Sequence, residues 1–378
     1  MNEVNKVAFP GLGWSFTLKE TAFTLRLFGK ELPIQWYALI ITLGIILAVA
    51  YVILRAAQIK VTSDDIIDYV IYTVPIGILG ARLYYVVTSL SDPTVSYDGL
   101  WDVLNPRNGG LGIYGGIIFG TVVVAIVSII KKIPFLAIAD CASPALIMAQ
   151  SIGRWGNFVN AEAYGGVTTL PWRMSGENFA SELSKKGLID SEIANQIIEG
   201  TVGVHPTFFY ESAWNMIGFI LINIFFKHKK YDGQILFMMF GWYGLGRLWI
   251  EGLRTDSLMV GVPGMLGMIL AIASFVVCYV FVQKIVDAAK SKNINKNHII
   301  IASVTLGLSV VFALAFVLDL TVLHTPAFLR VSQILAGSVF VACLSILIVF
   351  AATKYSKPQF IKPESTKKGK KKQNVENN

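Results

Sequence analysis

Nine stretches of the chain stay apolar for about twenty residues each, with polar residues gathered in the breaks between them. They fall at about 34–54, 66–88, 110–130, 135–153, 208–226, 234–252, 259–284, 299–322 and 332–352. In hydrocarbon a segment of this kind satisfies its backbone only as a helix, so the pattern predicts an all-α polytopic membrane protein. Three of the stretches are interrupted: the second carries Arg82, the fourth Asp140, and the sixth Arg247 and Glu251. Ahead of the first, residues 1–33 alternate apolar and polar around Phe23 to Phe28, which predicts a short extracytoplasmic strand pair. The one long break, 166–207, contains Leu183, Leu188, Ile193, Ile197 and Ile198 at helical spacing between Ser181 and Ile198. That spacing predicts an amphipathic helical hairpin lying against the membrane surface. No internal repeat, inverted or parallel, is visible.

The basic residues orient these segments. Arg55 and Lys60, Lys131 and Lys132, Lys227, Lys229 and Lys230, and Lys290, Lys292 and Lys296 lie in alternate short loops, whereas the opposite loops at 89–109 and 322–331 carry one arginine each, Arg107 and Arg330. The positive-inside rule then predicts N-out, C-in, with the first helix itself directing insertion, because residues 1–33 lack the basic start and apolar core of a signal peptide. Composition agrees: 54% of residues are hydrophobic and 15% charged, against about 25% charged in soluble domains. Of the net charge of +8, six units come from residues 354–378, with eight lysines against two glutamates. The body is thus nearly neutral, which argues against a nucleic-acid partner, and the tail is expected to be disordered beside the lipid. Cys141, Cys278 and Cys343 stand singly and the four histidines are scattered, so neither a metal centre nor a cofactor is expected. The expected organisation is an N-terminal segment (1–33), a seven-helix core (34–285), two additional helices (286–352) and a Lys-rich cytoplasmic tail (353–378).

Chemistry concentrates where polar residues meet these spans. Gly153-Arg154-Trp155-Gly156-Asn157-Phe158-Val159-Asn160-Ala161-Glu162-Ala163-Tyr164-Gly165 closes the fourth stretch. Arg154 and Asn157 are three apart and share a helix face, suited to holding an anion. A lone arginine there would simply snorkel to the interface, but Asn157, Asn160 and Glu162 follow at once. On the sixth stretch Tyr243, Arg247 and Glu251 form one stripe, too polar for lipid and so expected to face the bundle interior, with Arg254 beyond its end. An Arg247–Glu251 pair with a purely structural role is the alternative. The turn Gly109-Gly110-Leu111-Gly112-Ile113-Tyr114-Gly115-Gly116, the run His205-Pro206-Thr207-Phe208-Phe209-Tyr210-Glu211, and Arg82 within Gly80-Ala81-Arg82 fall toward the same, outer, side. A cationic, glycine-lined pocket opening outward is the expectation. An anion or lipid transporter would instead predict inverted repeats and broken helices, and a scaffold would leave the arginines unexplained.

The stretch Gly153–Gly165 matches G-R-x-G-N-F-x-N-x-E-x-x-G and resembles the signature of prolipoprotein diacylglyceryl transferases. Trp36-Tyr37, Gly80-Ala81-Arg82, the 109–116 turn, His205-Pro206-Thr207 with Tyr210-Glu211, and Tyr243-Gly244 with Arg247, Glu251 and Arg254 extend the resemblance over roughly residues 30–285. It implies an enzyme of lipoprotein biosynthesis in the bacterial cytoplasmic membrane, with its active site toward the outer face. Such an enzyme transfers diacylglyceryl from phosphatidylglycerol to the lipobox cysteine thiol of a prolipoprotein. The product is a thioether, glycerol phosphate leaves, and no cofactor or metal is needed. The resemblance further implies catalytic roles for Arg154, Arg247, Tyr114 and Tyr243. Substrate contacts are implied at Asn157, Asn160, Glu162, Gly165, Tyr37, Arg82, Glu211, Glu251 and Arg254. One departure matters: many members carry a histidine where this chain has Tyr114. A phenol takes a proton at neutral pH far less readily than an imidazole, so Tyr114, Tyr243, Glu211 and water all stay open as the route for the thiol proton.

Overall fold

A computed structural model describes residues 4–27, 29–90, 96–97, 99–105, 109–255, 343, 347 and 360–361. They group into two compact units, one formed by residues 1–48 with 143–357, the other by 49–142 with 358–378.

In the first unit, β1 (Val4–Phe9) pairs antiparallel with β2 (Trp14–Lys19), and β3 (Thr21–Leu27) with β4 (Lys30–Gln35). The second hairpin is the expected strand pair. The first was not anticipated, because Val4 to Lys19 does not alternate cleanly. β4 runs directly into α1 (Trp36–Ala56), and Trp36 N–H donates to Glu20 O at 2.9 Å across that junction. The expected helical hairpin is present as α6 (Glu177–Lys185) and α7 (Ser191–Glu199), followed by β6 (Gly203–Val204), which pairs with β5 (Val167–Thr168). Part of its apolar stripe is spent on protein. Leu183 and Ile197 are buried with Val7 of β1, Phe179, Val204 and Phe208. Paired bonds between Ala8 and Ser175, at 2.9 and 2.8 Å, tie β1 to the start of that segment. Leu188 and Ile198 remain exposed.

Three helices complete the described part of this unit: the C-terminal part of α5 (Phe135–Val159), α8 (Thr207–Phe226) and α9 (Gln234–Leu253). Two reciprocal locks set their register. Ser151 Oγ donates to Ser212 O at 2.8 Å while Ser212 Oγ donates to Ser151 O at 2.9 Å, joining α5 to α8. Trp214 Nε1 donates to Trp242 O at 3.1 Å and Trp242 Nε1 to Trp214 O at 3.0 Å, joining α8 to α9, with the two rings stacked 4.4 Å apart. Each indole lies where a glycine of the other helix leaves room, Trp242 over Gly218 and Trp214 over Gly246.

In the second unit, α2 (Ser63–Ser89) begins with a capping box: Asp65 N–H donates to Thr62 Oγ1 at 3.2 Å and Thr62 N–H to Asp65 Oδ2 at 3.1 Å. It packs along α4 (Ile113–Lys131), with Gly80 of α2 taking the Phe119 ring and Gly115 of α4 lying against the Gly80 carbonyl. At the far end Lys131 pairs with Asp65 at 3.1 Å and Asp68 at 2.6 Å.

Among the described residues, α1, α2, α4, α5 and α8 have the length and hydropathy to cross a membrane. They match the first five predicted stretches, and α9, twenty residues carrying Arg247 and Glu251, matches the sixth. The helices expected at 259–284 and 299–322 lie outside the described residues, as do all but residues 343 and 347 of the one at 332–352 and all but 360–361 of the Lys-rich tail.

Candidate active site

Glu211 is the centre of the polar cluster in the first unit. It lies one turn into α8, nearly fully buried, where the Ser151–Ser212 and Trp214–Trp242 locks fix it between α5 and α9. Arg154 of α5 donates to Glu211 Oε1, and Arg247 of α9 donates to Glu211 Oε2 at 3.3 Å. Arg254, just past α9, reaches the same oxygen at 4.0 Å. Arg247 also pairs with Glu251, four residues on and as deeply buried. The two arginines separated by 93 positions in sequence thus meet on one carboxylate. Around it three guanidinium groups face two carboxylates, so the cluster carries one positive charge in excess. Such an excess in a low-dielectric site favours an anion. Tyr243, one turn along α9 from Arg247, lies within electrostatic reach of Glu211, Arg247, Arg154 and Glu251.

The end of the signature folds back on itself. α5 stops at Val159, and Ala161 and Ala163 then take left-handed backbone conformations (φ 51° and 56°), which cost an L-residue about 1–2 kcal/mol each. The reversal returns Glu162, whose N–H donates to Asn157 O at 2.9 Å and whose carboxylate accepts Asn157 Nδ2 at 2.9 Å and Asn160 Nδ2 at 3.4 Å. Tyr37 of α1 lies over Gly156, where a Cβ would come within 2.7 Å of its ring, and it feels the charges of Glu162 and Arg154. Gly165 sits where three segments cross. Its N–H donates to His205 O at 2.8 Å, it bridges to Arg254, and a Cβ there would lie 2.6 Å from Leu253 O, 2.7 Å from His205 Cβ and 2.9 Å from Thr207 Cγ2. Thr207 Oγ1 donates to Ala163 O at 2.6 Å, closing the junction. His205, half-buried beside Tyr210, has its pKa lowered by burial, which favours the neutral imidazole.

Arg82 and Tyr114 belong to the second unit and have partners of their own there. Arg82 is buried and donates Nε to Val103 O at 3.0 Å, Nη2 to Asp102 O at 2.8 Å, and Nη1 to the carbonyls of Gly109 and Gly110. Its guanidinium is spent on the short helix α3 (Leu100–Leu104) and on the loop that leads from it into α4. Gly112 N–H donates to Ala81 O at 2.8 Å, fixing the start of α4, where Tyr114 stands half exposed with its ring 6.0 Å from that of Tyr84.

Sequence reasoning missed the serine and tryptophan locks. The second left a trace, since Trp214 and Trp242 are each followed four residues later by a glycine, Gly218 and Gly246.

Residues 24–284 match the family model described as prolipoprotein diacylglyceryl transferase. A Clostridioides difficile (strain 630) protein named phosphatidylglycerol–prolipoprotein diacylglyceryl transferase is 37% identical over 73% of this chain and 98% of its own length. Relatives of the same name from Streptococcus equi subsp. zooepidemicus (41% identical, 61% of this chain, 82% of the relative) and Enterococcus faecalis (38%, 68% and 90%) agree. With more than two thirds of its length inside that family model, and the signature arginine placed on the same carboxylate as Arg247, the chain belongs to the prolipoprotein diacylglyceryl transferase family.

Proposed function

We propose that this protein transfers the diacylglyceryl group of phosphatidylglycerol to the lipobox cysteine of a prolipoprotein, and that the cluster around Glu211 holds the lipid phosphate. The cysteine thiolate attacks the glycerol carbon that bears the phosphate. A carbon–sulfur bond forms, the carbon–oxygen bond to phosphate breaks, and glycerol phosphate leaves. The phosphate passes from a diester with one negative charge to a monoester gaining a second. Guanidinium groups fixed in advance stabilise that growing charge more than they stabilise the ground state, which is the condition for catalysis. Arg154 and Arg247 fill this role, Glu211 and Glu251 hold them in place, and Arg254 adds the charge that leaves the cluster net positive. Asn157 and Asn160 orient Glu162 at the edge of the site. Arg82 is a positioning residue, shaping the glycine turn that starts α4. Tyr114 packs on Tyr84 through its ring.

The active site faces outward from the cytoplasmic membrane in this reading. Supporting it, the residues at the opposite ends of the same helices include Arg55, Lys131, Lys132, Lys227, Lys229 and Lys230, the distribution expected of cytoplasmic ends. The observation that carries the proposal is the convergence of Arg154, Arg247 and Arg254 on Glu211. Its test is transfer of labelled diacylglyceryl from phosphatidylglycerol to a lipobox peptide by the full chain in vesicles. A labelled peptide whose label depends on the cysteine supports it; no label under conditions where a relative is active would sink it.

A further inference from the structure

Outside the arginine cluster, one side chain of α8 is both buried and unsatisfied. Asn215 is wholly shielded from solvent, and neither its Oδ1 nor its Nδ2 has a hydrogen-bond partner among the described residues. An amide left this way costs about 1–3 kcal/mol, so something else is expected to fill its bonds. Its neighbours on the helix fix its direction. Ser212 faces α5 through Ser151, Trp214 faces α9 through Trp242, and Glu211 points between them to reach Arg154 and Arg247. Asn215 is four residues beyond Glu211, turned by roughly 40° about the axis and about 6 Å further along it. It therefore faces the same closed seam between α5 and α9, one turn further from the Thr207 end. Beyond it the seam is apolar, with Ile222 packed against Ile147, Ile235 and Met239.

We infer that Asn215 binds the donor lipid: its Nδ2 donates to an acyl ester carbonyl of phosphatidylglycerol while the arginines hold the phosphate. This rests on the phosphate site proposed above. From the Thr207 end inward the seam carries cations, then an amide, then packed apolar side chains that bound acyl chains would part. A phospholipid presents phosphate, then ester carbonyls, then acyl chains, in the same order. The headgroup glycerol, on the far side of the phosphate from the chains, would not reach this depth.

The test compares kcat/KM for diester phosphatidylglycerol and for its 1,2-di-O-alkyl analogue, which lacks both carbonyls but keeps the carbon–oxygen bond that breaks. Wild type and Asn215→Leu are assayed in the same vesicles with the same lipobox peptide. Wild type is expected to favour the diester by about five- to tenfold, the worth of one hydrogen bond that would otherwise be left unmade. Asn215→Leu is expected to treat the two lipids alike. Asn215→Ser, too short to reach the carbonyl, serves if the leucine variant does not fold, and is expected to behave the same way. An unchanged diester preference in the variants, or none in wild type, would overturn the inference. Absence of wild-type transfer from the diester itself would instead count against the function, so the two failures are separable.

Discussion

Replacing Glu211 by glutamine removes the one charge on which three arginines converge while keeping the side chain's shape. Glu211 is 3% exposed, and Arg154, Arg247 and Arg254 are 21%, 16% and 13% exposed at their side chains. Breaking a buried ion pair from one side costs about 3–5 kcal/mol. Glutamine still accepts one hydrogen bond and the guanidiniums are not fully dry, so the lower figure applies, about 3 kcal/mol. At about 2.1 cal/mol/K of unfolding entropy per residue, each kcal/mol moves the melting temperature of a 378-residue chain by about 1.3 °C, which gives a fall of roughly 4 °C for Glu211→Gln. Transfer should fall by about 10²-fold, because the arginines remain but lose their aim. Thermal unfolding and transfer are measured on the same reconstituted protein. Glu182→Gln serves as the control: its pair with Lys186, 2.6 Å and half exposed, is worth about 0.5 kcal/mol, or less than about 1 °C. A Glu211→Gln protein as stable as the control and active within about threefold would refute the idea that this carboxylate organises the site.

Three further outcomes follow from the same geometry. Gly165→Ala should cost about 1–3 kcal/mol by overpacking against Leu253 O and His205 and should displace Arg254, whereas Gly153→Ala, with no atom within 4 Å of the added carbon, should melt no lower than wild type; equal melting temperatures for the two would contradict this. Tyr114→Phe keeps the ring on Tyr84 and should retain turnover within a few fold, while a loss of more than about 100-fold would make its hydroxyl a proton carrier. His205 holds its pKa below the ordinary 6.5, so the unfolded chain takes up the proton first as pH falls. Stability is complete above about 6.5 and is lost as pH drops through the lowered value, and His205→Asn should flatten the melting temperature between about pH 7 and 5; an unchanged slope would remove His205 as its source.

The spanning helices were legible because hydrocarbon allows few alternatives: a twenty-residue apolar run between basic loops has one structural solution. Arg154 and Arg247 were legible as candidates because charge at membrane depth is costly. Their shared partner was not, since nothing in the spacing says that Glu211 rather than Glu162 or Glu251 receives Arg154. That depends on register, and register is set by Ser151 with Ser212 and Trp214 with Trp242, ordinary residues for a membrane helix. The helical hairpin shows the opposite limit. Its period was right, but periodicity says only that one face is apolar, and Val7, Phe179 and Phe208 cover it, a contact supplied by a strand more than 150 residues away. For Arg82, depth suggested a ligand-binding cation, and its guanidinium is instead met by four backbone carbonyls.

The central claim is that Arg154 and Arg247 act together on the departing phosphate. The direct measurement is the rate of transfer from phosphatidylglycerol by Arg154→Ala, Arg247→Ala and the double variant, at saturating lipid and peptide, alongside their melting temperatures. Each single variant should lose about 10²–10³ in kcat, and the double variant should lose little more than the worse single one, as groups acting as a unit do. A folded Arg154→Ala or Arg247→Ala protein that keeps wild-type kcat, or two losses that simply multiply in the double variant, would contradict it.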